Sequence, residues 1–352
     1  MAEYYSIEFW MGDMRGVTMA TRILVTGCAG FIGFHTAIRL LQKGNIVHGI
    51  DNMESNAEIA RIMKEDRMSV LRNESNFSFT HGNIEDEPIL DGIFQNENIE
   101  YVIHLAAKAG VRSPPEAAKG YINSNLLGFG NVISCCERFN VKHLIYASSS
   151  SVYGGTTMIP FSESAVSEDI QNLYAATKRS NELVAHAFAT SFSVASTGLR
   201  FFTVYGPWSR PDMAVFTFAR KIVNDEEIQV FGHGDLSRDF TYIDDAVNAI
   251  EGIFNKVNQQ KPIGSEALPH RVLNVGRGEP RAVSELIEIL EKHLSIPAKK
   301  RMIEKPIQDV TKTHADLRRL KDYIGRVPNV SLEEGIKKFC DWFIPYHEQL
   351  PV

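Results

Sequence analysis

Tyr174 and Lys178 stand four residues apart in YAATK, a Y-x-x-x-K spacing that puts both side chains on one face of a helix. Tyrosine is a poor base, with an ordinary pKa of about 10. A neighbouring ammonium favours its phenolate, so the pair suits removal of a proton from a hydroxyl. The serines of YASSSSVYG (146–154) add hydroxyls that can bind the same oxygen. Y-x-x-x-K recurs by chance, and its weight here comes from what precedes it. The apolar run RILVT feeds directly into GCAGFIG, with Gly27, Gly30 and Gly33, and a helix-forming segment follows. That order is the context a dinucleotide-binding loop requires. Gly27 permits the tight turn, Gly30 lets backbone approach a pyrophosphate, and Gly33 allows close helix–strand packing. The helix N-terminus then offers unpaired N–H groups to the phosphates. Asp51 ends IVHGID. A carboxylate there accepts bonds from an adenosine ribose diol and repels a 2′-phosphate, which favours NAD over NADP. An aspartate in such a place also serves as an N-cap or turn residue; its position relative to the glycine loop favours the cofactor role.

These groups need a frame that brings them together. The runs RILVT (22–26), IVHGI (46–50), FSFTH (77–81), YVIHLA (101–106) and HLIYAS (143–148) are apolar, and helix-length segments separate most of them. Continuous apolar runs suit parallel strands buried on both faces. Repeated β-α units predict an α/β fold, a doubly wound parallel sheet of the Rossmann type. VASTGLRFF (194–202) continues the sheet. Beyond Val204 the pattern breaks into loops and short elements: IQVFGHG, DFTYIDD, RVLNVG and two further helices. The expected division is a leader of unknown role over 1–20, a cofactor-binding domain over 21–203 that later segments rejoin, and a smaller C-terminal α/β domain over 204–352 that mainly takes substrate. NQQKPIGSEALPH (258–270) reads as a surface loop.

The chain has 352 residues, 44% of them hydrophobic and 23% charged, with a formal net charge of -6. No basic run with interleaved aromatics is present, so nucleic acid is not an expected partner. No stretch reaches the roughly 18 apolar residues of a membrane helix. The leader carries Glu3, Glu8 and Asp13 and no apolar core, unlike a signal peptide. Cys28, Cys135, Cys136 and Cys340 have neither C-x-x-C spacing nor His partners at zinc spacing. Reduced thiols, no metal site and a cytoplasmic location are the expectations.

GCAGFIG, HLAAKAG, YASSSSVYG, YAATK and RDFTYIDD, in this order, resemble the extended short-chain dehydrogenase/reductase family from about Thr21 to at least Asp316. Within it, TVYGPWSRPDMA (203–214) is most similar to the UDP-glucuronate 4-epimerases. The resemblance implies NAD as cofactor, a nucleotide sugar as substrate and a homodimer. It implies Tyr174 as the base at the sugar 4-hydroxyl, Lys178 as the holder of the nicotinamide ribose, and Ser149 in the catalytic Ser/Thr position. Gly27, Gly30, Phe31, Ile32, Gly33, Asp51, Asn83, Ile84, Leu105, Ala106, Ala107 and Asn125 complete the implied cofactor site, Asn125 near the nicotinamide. Arg238 matches a diphosphate-binding arginine and Arg210 one that faces the nucleotide. Arg238 is also readable as an ion pair with Asp239, Arg210 as a loop charge, and Ser148 as a strand-end cap. Ser149, Ser150, Ser151 and Thr203 are expected to grip a uronate carboxylate together. Related dehydratases and decarboxylases carry an acid where this chain has Ser151. Three positions depart from the pattern: Asn83 replaces an aspartate, Lys108 a glutamine, and Gln308 stands near a late glycine. Another 4-epimerase, a dehydratase or a decarboxylase on this frame is the alternative, and a non-catalytic NAD-binding scaffold a remote one. The intact Ser149–Tyr174–Lys178 set argues against the last.

Overall fold

The computed structural model describes residues 20–351 apart from 56, 113, 157, 166, 260–268 and 306–309. Residues 1–19, most of the expected 258–270 loop and Gln308 thus lie outside the described residues. In chain order the strands are β1 (Arg22–Thr26), β2 (Ile46–Asp51), β3 (Phe77–His81), β4 (Tyr101–His104), β5 (His143–Ser149), β6 (Ser196–Phe201), β7 (Thr203–Tyr205), β8 (Glu227–Phe231), β9 (Ser237–Tyr242), β10 (His270–Val275), β11 (Pro280–Ala282) and β12 (Lys299–Ile303). Seven of them form one sheet in the order β10-β6-β5-β4-β1-β2-β3, with every pairing parallel. The chain starts in the middle at β1, runs out to β3, and returns through β4 to the other side. The strand order reverses between β1 and β4, and a doubly wound sheet binds its ligand at the carboxyl ends there. Every residue of β4, and of β1 after Arg22, is buried, as strands covered on both faces require.

Local chemistry sets the element ends. The helix Phe31–Gln42 stops before Gly44, whose φ of +79° is a left-handed position that a Cβ disfavours. YVIHLA leaves the ladder at His104, not Ala106. Leu105 still donates to the Thr26 carbonyl at 3.1 Å, and the Ala106 N–H then turns to the Thr26 hydroxyl oxygen at 3.1 Å. DFTYIDD ends as a strand at Tyr242. The helix Ile243–Gln259 begins there, with Asp244 and Asp245 in a first turn that favours carboxylates. It packs against Phe31–Gln42, and β10 then joins the large sheet beside β6. The remaining strands make a three-stranded sheet, β11-β9-β7, and the pair β12-β8. Among the described residues after β10 there are three helices, Val283–Leu294, Arg318–Ile324 and Leu332–His347, where two are expected. The additional one has 7 residues, too few for apolar periodicity to register.

Among the described residues no helix is long and apolar enough to cross a membrane, and no three His, Cys, Asp or Glu side chains could hold a metal ion. The four cysteines are buried and free.

Two buried histidines make stability pH-dependent. Burial pulls His104 and His143 down to about 3, so both are neutral in the fold. Unfolding returns them to an ordinary value near 6.5. The folded-state value is the lower one, so below pH 6.5 the unfolded chain binds more protons and stability falls as pH drops toward 3. Each histidine adds a slope of up to about 1.4 kcal/mol per pH unit in that window. His143 bonds the Thr197 hydroxyl at 2.9 Å, a contact glutamine can copy. In urea unfolding between pH 5.5 and 4.5, both within the window, His143→Gln should lose less stability than the wild type; equal losses would refute this role.

Candidate active site

The helix Leu173–Phe192 delivers Tyr174 and Lys178. Asn172 caps it, its side-chain oxygen accepting the Ala175 N–H at 2.8 Å, so Tyr174 falls in the first turn and Lys178 one turn on. Lys178 Nζ lies 5.9 Å from the Tyr174 ring centre and donates to the Ala147 carbonyl of β5 at 2.8 Å. Lys178 is buried, and desolvation pulls its pKa to about 8. Burial pushes the Tyr174 phenol up, while its hydrogen bond with Ser149 and the charge of Arg210 pull it back. Ser149 ends β5, with its Oγ 2.5 Å from Ser151 Oγ and accepting the Ser151 N–H at 3.2 Å. Neighbouring strand residues face opposite ways. Ser148 accordingly turns from the site and donates to Glu182 Oε1 at 2.7 Å, which makes it a strand-end support.

The glycine loop meets the end of β4. Gly27 has φ +71°, and a Cβ on it would lie 2.7 Å from the Ala106 nitrogen. A Cβ on Gly33 would collide with the Gly27 carbonyl. Gly30 precedes the helix Phe31–Gln42, whose first turn has neither a side-chain cap nor an acidic residue. The N–H groups of Phe31, Ile32 and Gly33 therefore form an uncapped positive helix end beside a loop whose glycines leave room for close backbone approach, which fits a dinucleotide pyrophosphate. Asp51 is buried and engaged by protein. Its carboxylate accepts the N–H groups of Ala29 at 3.2 Å and Met53 at 2.8 Å, and Lys64 Nζ at 2.8 Å. Asn83 accepts the Asn52 amide at 2.7 Å. Ile84 is buried against Gly128, where a Cβ would lie 2.6 Å from it.

Asn125 pins the loop that carries Leu105, Ala106 and Ala107. Its oxygen accepts the Lys108 N–H at 2.8 Å, and its nitrogen donates to the Lys108 carbonyl at 2.9 Å and to Thr177 Oγ1 at 3.0 Å. Thr177 in turn donates to the Tyr174 carbonyl at 2.8 Å. The Lys108 ammonium lies 5.8 Å from the ring centre of Tyr121, itself 6.4 Å from the Tyr174 ring.

Ser149 pairs with Phe201 across β5 and β6, so Ser151 and Thr203, each two residues on, stand at the same sheet edge. Arg210 is partly exposed and paired with Asp212 through two contacts of 3.0 and 2.5 Å, and its charge reaches the Tyr174 phenol. Arg238, on β9, donates to the Ser237 carbonyl at 3.0 Å. It is no ion-pair partner of Asp239. That carboxylate is fully buried and accepts the N–H groups of Arg277, Gly278 and Ala315 at 2.5, 3.0 and 2.9 Å.

Sequence reading missed three supports. Glu182, one turn beyond Lys178, binds the buried Arg200 through two 2.8 Å contacts behind Ser148; a charged residue inside the apolar VASTGLRFF was its signal. Thr177 and Lys64 left none, since their partners Asn125 and Asp51 are distant in sequence.

Residues 23–276 match the model of the NAD dependent epimerase/dehydratase family. The Staphylococcus aureus protein CapI is 42% identical over 93% of this chain and 100% of its own length. A probable UDP-glucuronate 4-epimerase of Rhizobium meliloti (strain 1021) is 41% identical over 92% of this chain and 96% of its own. The Bacillus cereus UDP-glucuronic acid 4-epimerase solved with UDP-glucuronic acid and NAD has a TM-score of 0.82 and 31% identity, over 93% of this chain and 100% of its own.

Proposed function

The chain belongs to the NAD dependent epimerase/dehydratase family, and on that premise we propose that it is an NAD-dependent 4-epimerase interconverting UDP-glucuronate and UDP-galacturonate through a transient 4-keto sugar. The observation that carries this reading is the meeting of Tyr174, Ser149 and Lys178, with Lys178 Nζ 5.9 Å from the Tyr174 ring centre and bonded to Ala147 of β5, at the sheet edge the glycine loop faces. NAD, when bound, supplies the acceptor and the donor of the C4 hydrogen.

The chain's residues do the rest. Gly27, Gly30, Phe31, Ile32 and Gly33 hold the pyrophosphate, Asp51 and Asn83 the adenosine end. Ile84, Leu105, Ala106 and Ala107 wall the cofactor, with Asn125 fixing that wall. Lys178 binds the nicotinamide ribose. Tyr174 takes the proton from O4 of the sugar and returns it after the ketone has turned over, while Ser149 hydrogen-bonds the same oxygen. Ser150, Ser151 and Thr203 bond the uronate carboxylate, Arg210 faces the nucleotide, and Arg238 binds the diphosphate. The 4-keto uronate is a β-keto acid. Neutral Ser151 holds its carboxylate without repelling it or acting as a dehydratase acid, which opposes loss of carbon dioxide. The same reading has the enzyme act in the cytoplasm as a homodimer, with support from Leu127, Leu183 and Phe192, exposed apolar residues of the segments 122–138 and 173–192.

Direct return of the C4 hydrogen gives a test. Deuterium at C4 of UDP-glucuronate should remain at C4 of the product, and its exchange with water would reject the mechanism. Asp51 predicts which cofactor is retained: nucleotide released from purified protein by heat should be NAD, and chiefly NADP would contradict its role.

A further inference from the structure

Arg67, in the helix Glu58–Arg72, is a buried cation, and the groups it binds are backbone carbonyls. One guanidinium nitrogen donates to the Ala29 carbonyl at 2.9 Å and another to the Trp208 carbonyl at 2.6 Å, while Nε has no partner among the described residues. Burial pulls its pKa to about 10, so it remains charged at neutral pH. A buried charge whose hydrogen bonds go only to carbonyls is costly even with the Asp51 and Asp66 carboxylates near it. An apolar side chain would fill the same space without that cost, so its position needs another reason.

Its two partners supply that reason. Ala29 lies inside the glycine loop, with its N–H held by Asp51 at 3.2 Å. Trp208 has φ +63°, a strained left-handed conformation for a tryptophan, in the turn that leads to Arg210. His35 donates to the preceding carbonyl, Pro207, at 3.0 Å. A carbonyl only accepts, so Nε2 bears the hydrogen; burial holds this ring down to about 4, hence neutral. The Trp208 ring packs on Phe34, Trp342 and Tyr346 at 5.6, 5.3 and 5.0 Å. Two residues further, Arg210 acts on the Tyr174 phenol.

We propose that Arg67, seconded by His35, is a positioning residue that bolts the pyrophosphate loop to the Pro207–Trp208 turn and so fixes where Arg210 meets the nucleotide part of the substrate. This rests on the nucleotide-sugar reading above. Cofactor binding at the loop and nucleotide binding at Arg210 then share one rigid connection.

The test is a double-mutant cycle on the full-length, NAD-loaded enzyme, with UDP titrated calorimetrically into wild type, Arg67→Met, Arg210→Met and the double variant. Arg67→Met should weaken UDP about tenfold, the scale of one charge-assisted hydrogen bond. In the Arg210→Met background the same change should matter less than about twofold, because its effect runs through Arg210. Losses that multiply, or a lower melting temperature with unchanged UDP affinity, would overturn the proposal. Should Arg67→Met fail to fold, His35→Phe keeps a ring against Phe34 and removes only the donor to Pro207; it decides the matter in the same cycle. Turnover of UDP-glucuronate by the wild type is measured alongside. UDP binding without turnover sinks the 4-epimerase activity and leaves the bolt standing. Multiplying losses with normal turnover sink the bolt alone, and a wild type that does not bind UDP overturns both.

Discussion

Tyr174→Phe should leave the fold intact and lower turnover of UDP-glucuronate by about 10³-fold or more, within the range ascribed to a positioned acid–base group. The ring keeps its contact with Tyr121 and its place in the first turn of the helix capped by Asn172. Only the ionisable oxygen is lost. Its neighbours are poorly placed to take its part: Ser149 and Ser151 are neutral hydroxyls, Tyr121 donates its phenol to the Ala109 and Gly110 carbonyls, and Lys178 works as a cation. Circular dichroism and bound-NAD content should match the wild type, which separates a missing base from a damaged site. Turnover within a few-fold of wild type would remove Tyr174 from the mechanism.

Lys178→Ala should lower kcat by about 10²-fold and also loosen the cofactor. Its ammonium, 5.9 Å from the Tyr174 ring centre, is the cation beside the developing phenolate and the anchor for the nicotinamide ribose, and the variant loses both. The pH profile tells this apart from a packing defect. Tyr174 must lose a proton to act, so activity rises with pH. Lys178 must keep its own, and burial places its pKa at about 8, so wild-type activity falls above that pH. The variant should lack that alkaline fall. A profile that keeps it would assign the limb to another group.

What the sequence made legible was what local spacing encodes. GCAGFIG between a strand and a helix, Asp51 at a strand end, and Tyr174 and Lys178 one turn apart each follow from periods of 2 or 3.6 residues. The structure puts all of them at one sheet edge. The supports were hidden because their partners are far apart in the chain: Arg67 and Trp208 by 141 residues, Asn125 and Thr177 by 52. The seventh sheet strand, β10, was read as part of a smaller unit with some returns to the sheet. RVLNVG carries no mark of its pairing with β6, which only the long crossover creates. Arg238 shows the same limit. Its neighbour Asp239 suggested an ion pair, yet Asp239 faces inward to three backbone N–H groups from Arg277, Gly278 and Ala315.

A mass-spectrometric and chromatographic time course of purified wild-type protein with UDP-glucuronate tests the central claim most directly. With Ser150, Ser151 and Thr203 gripping the carboxylate, UDP-galacturonate should rise to a near-even equilibrium with the substrate at unchanged mass, with at most a trace of UDP-pentose. A UDP-pentose or 4-keto-pentose as main product would make the chain a decarboxylase despite Ser151, and absence of any conversion would contradict the account outright.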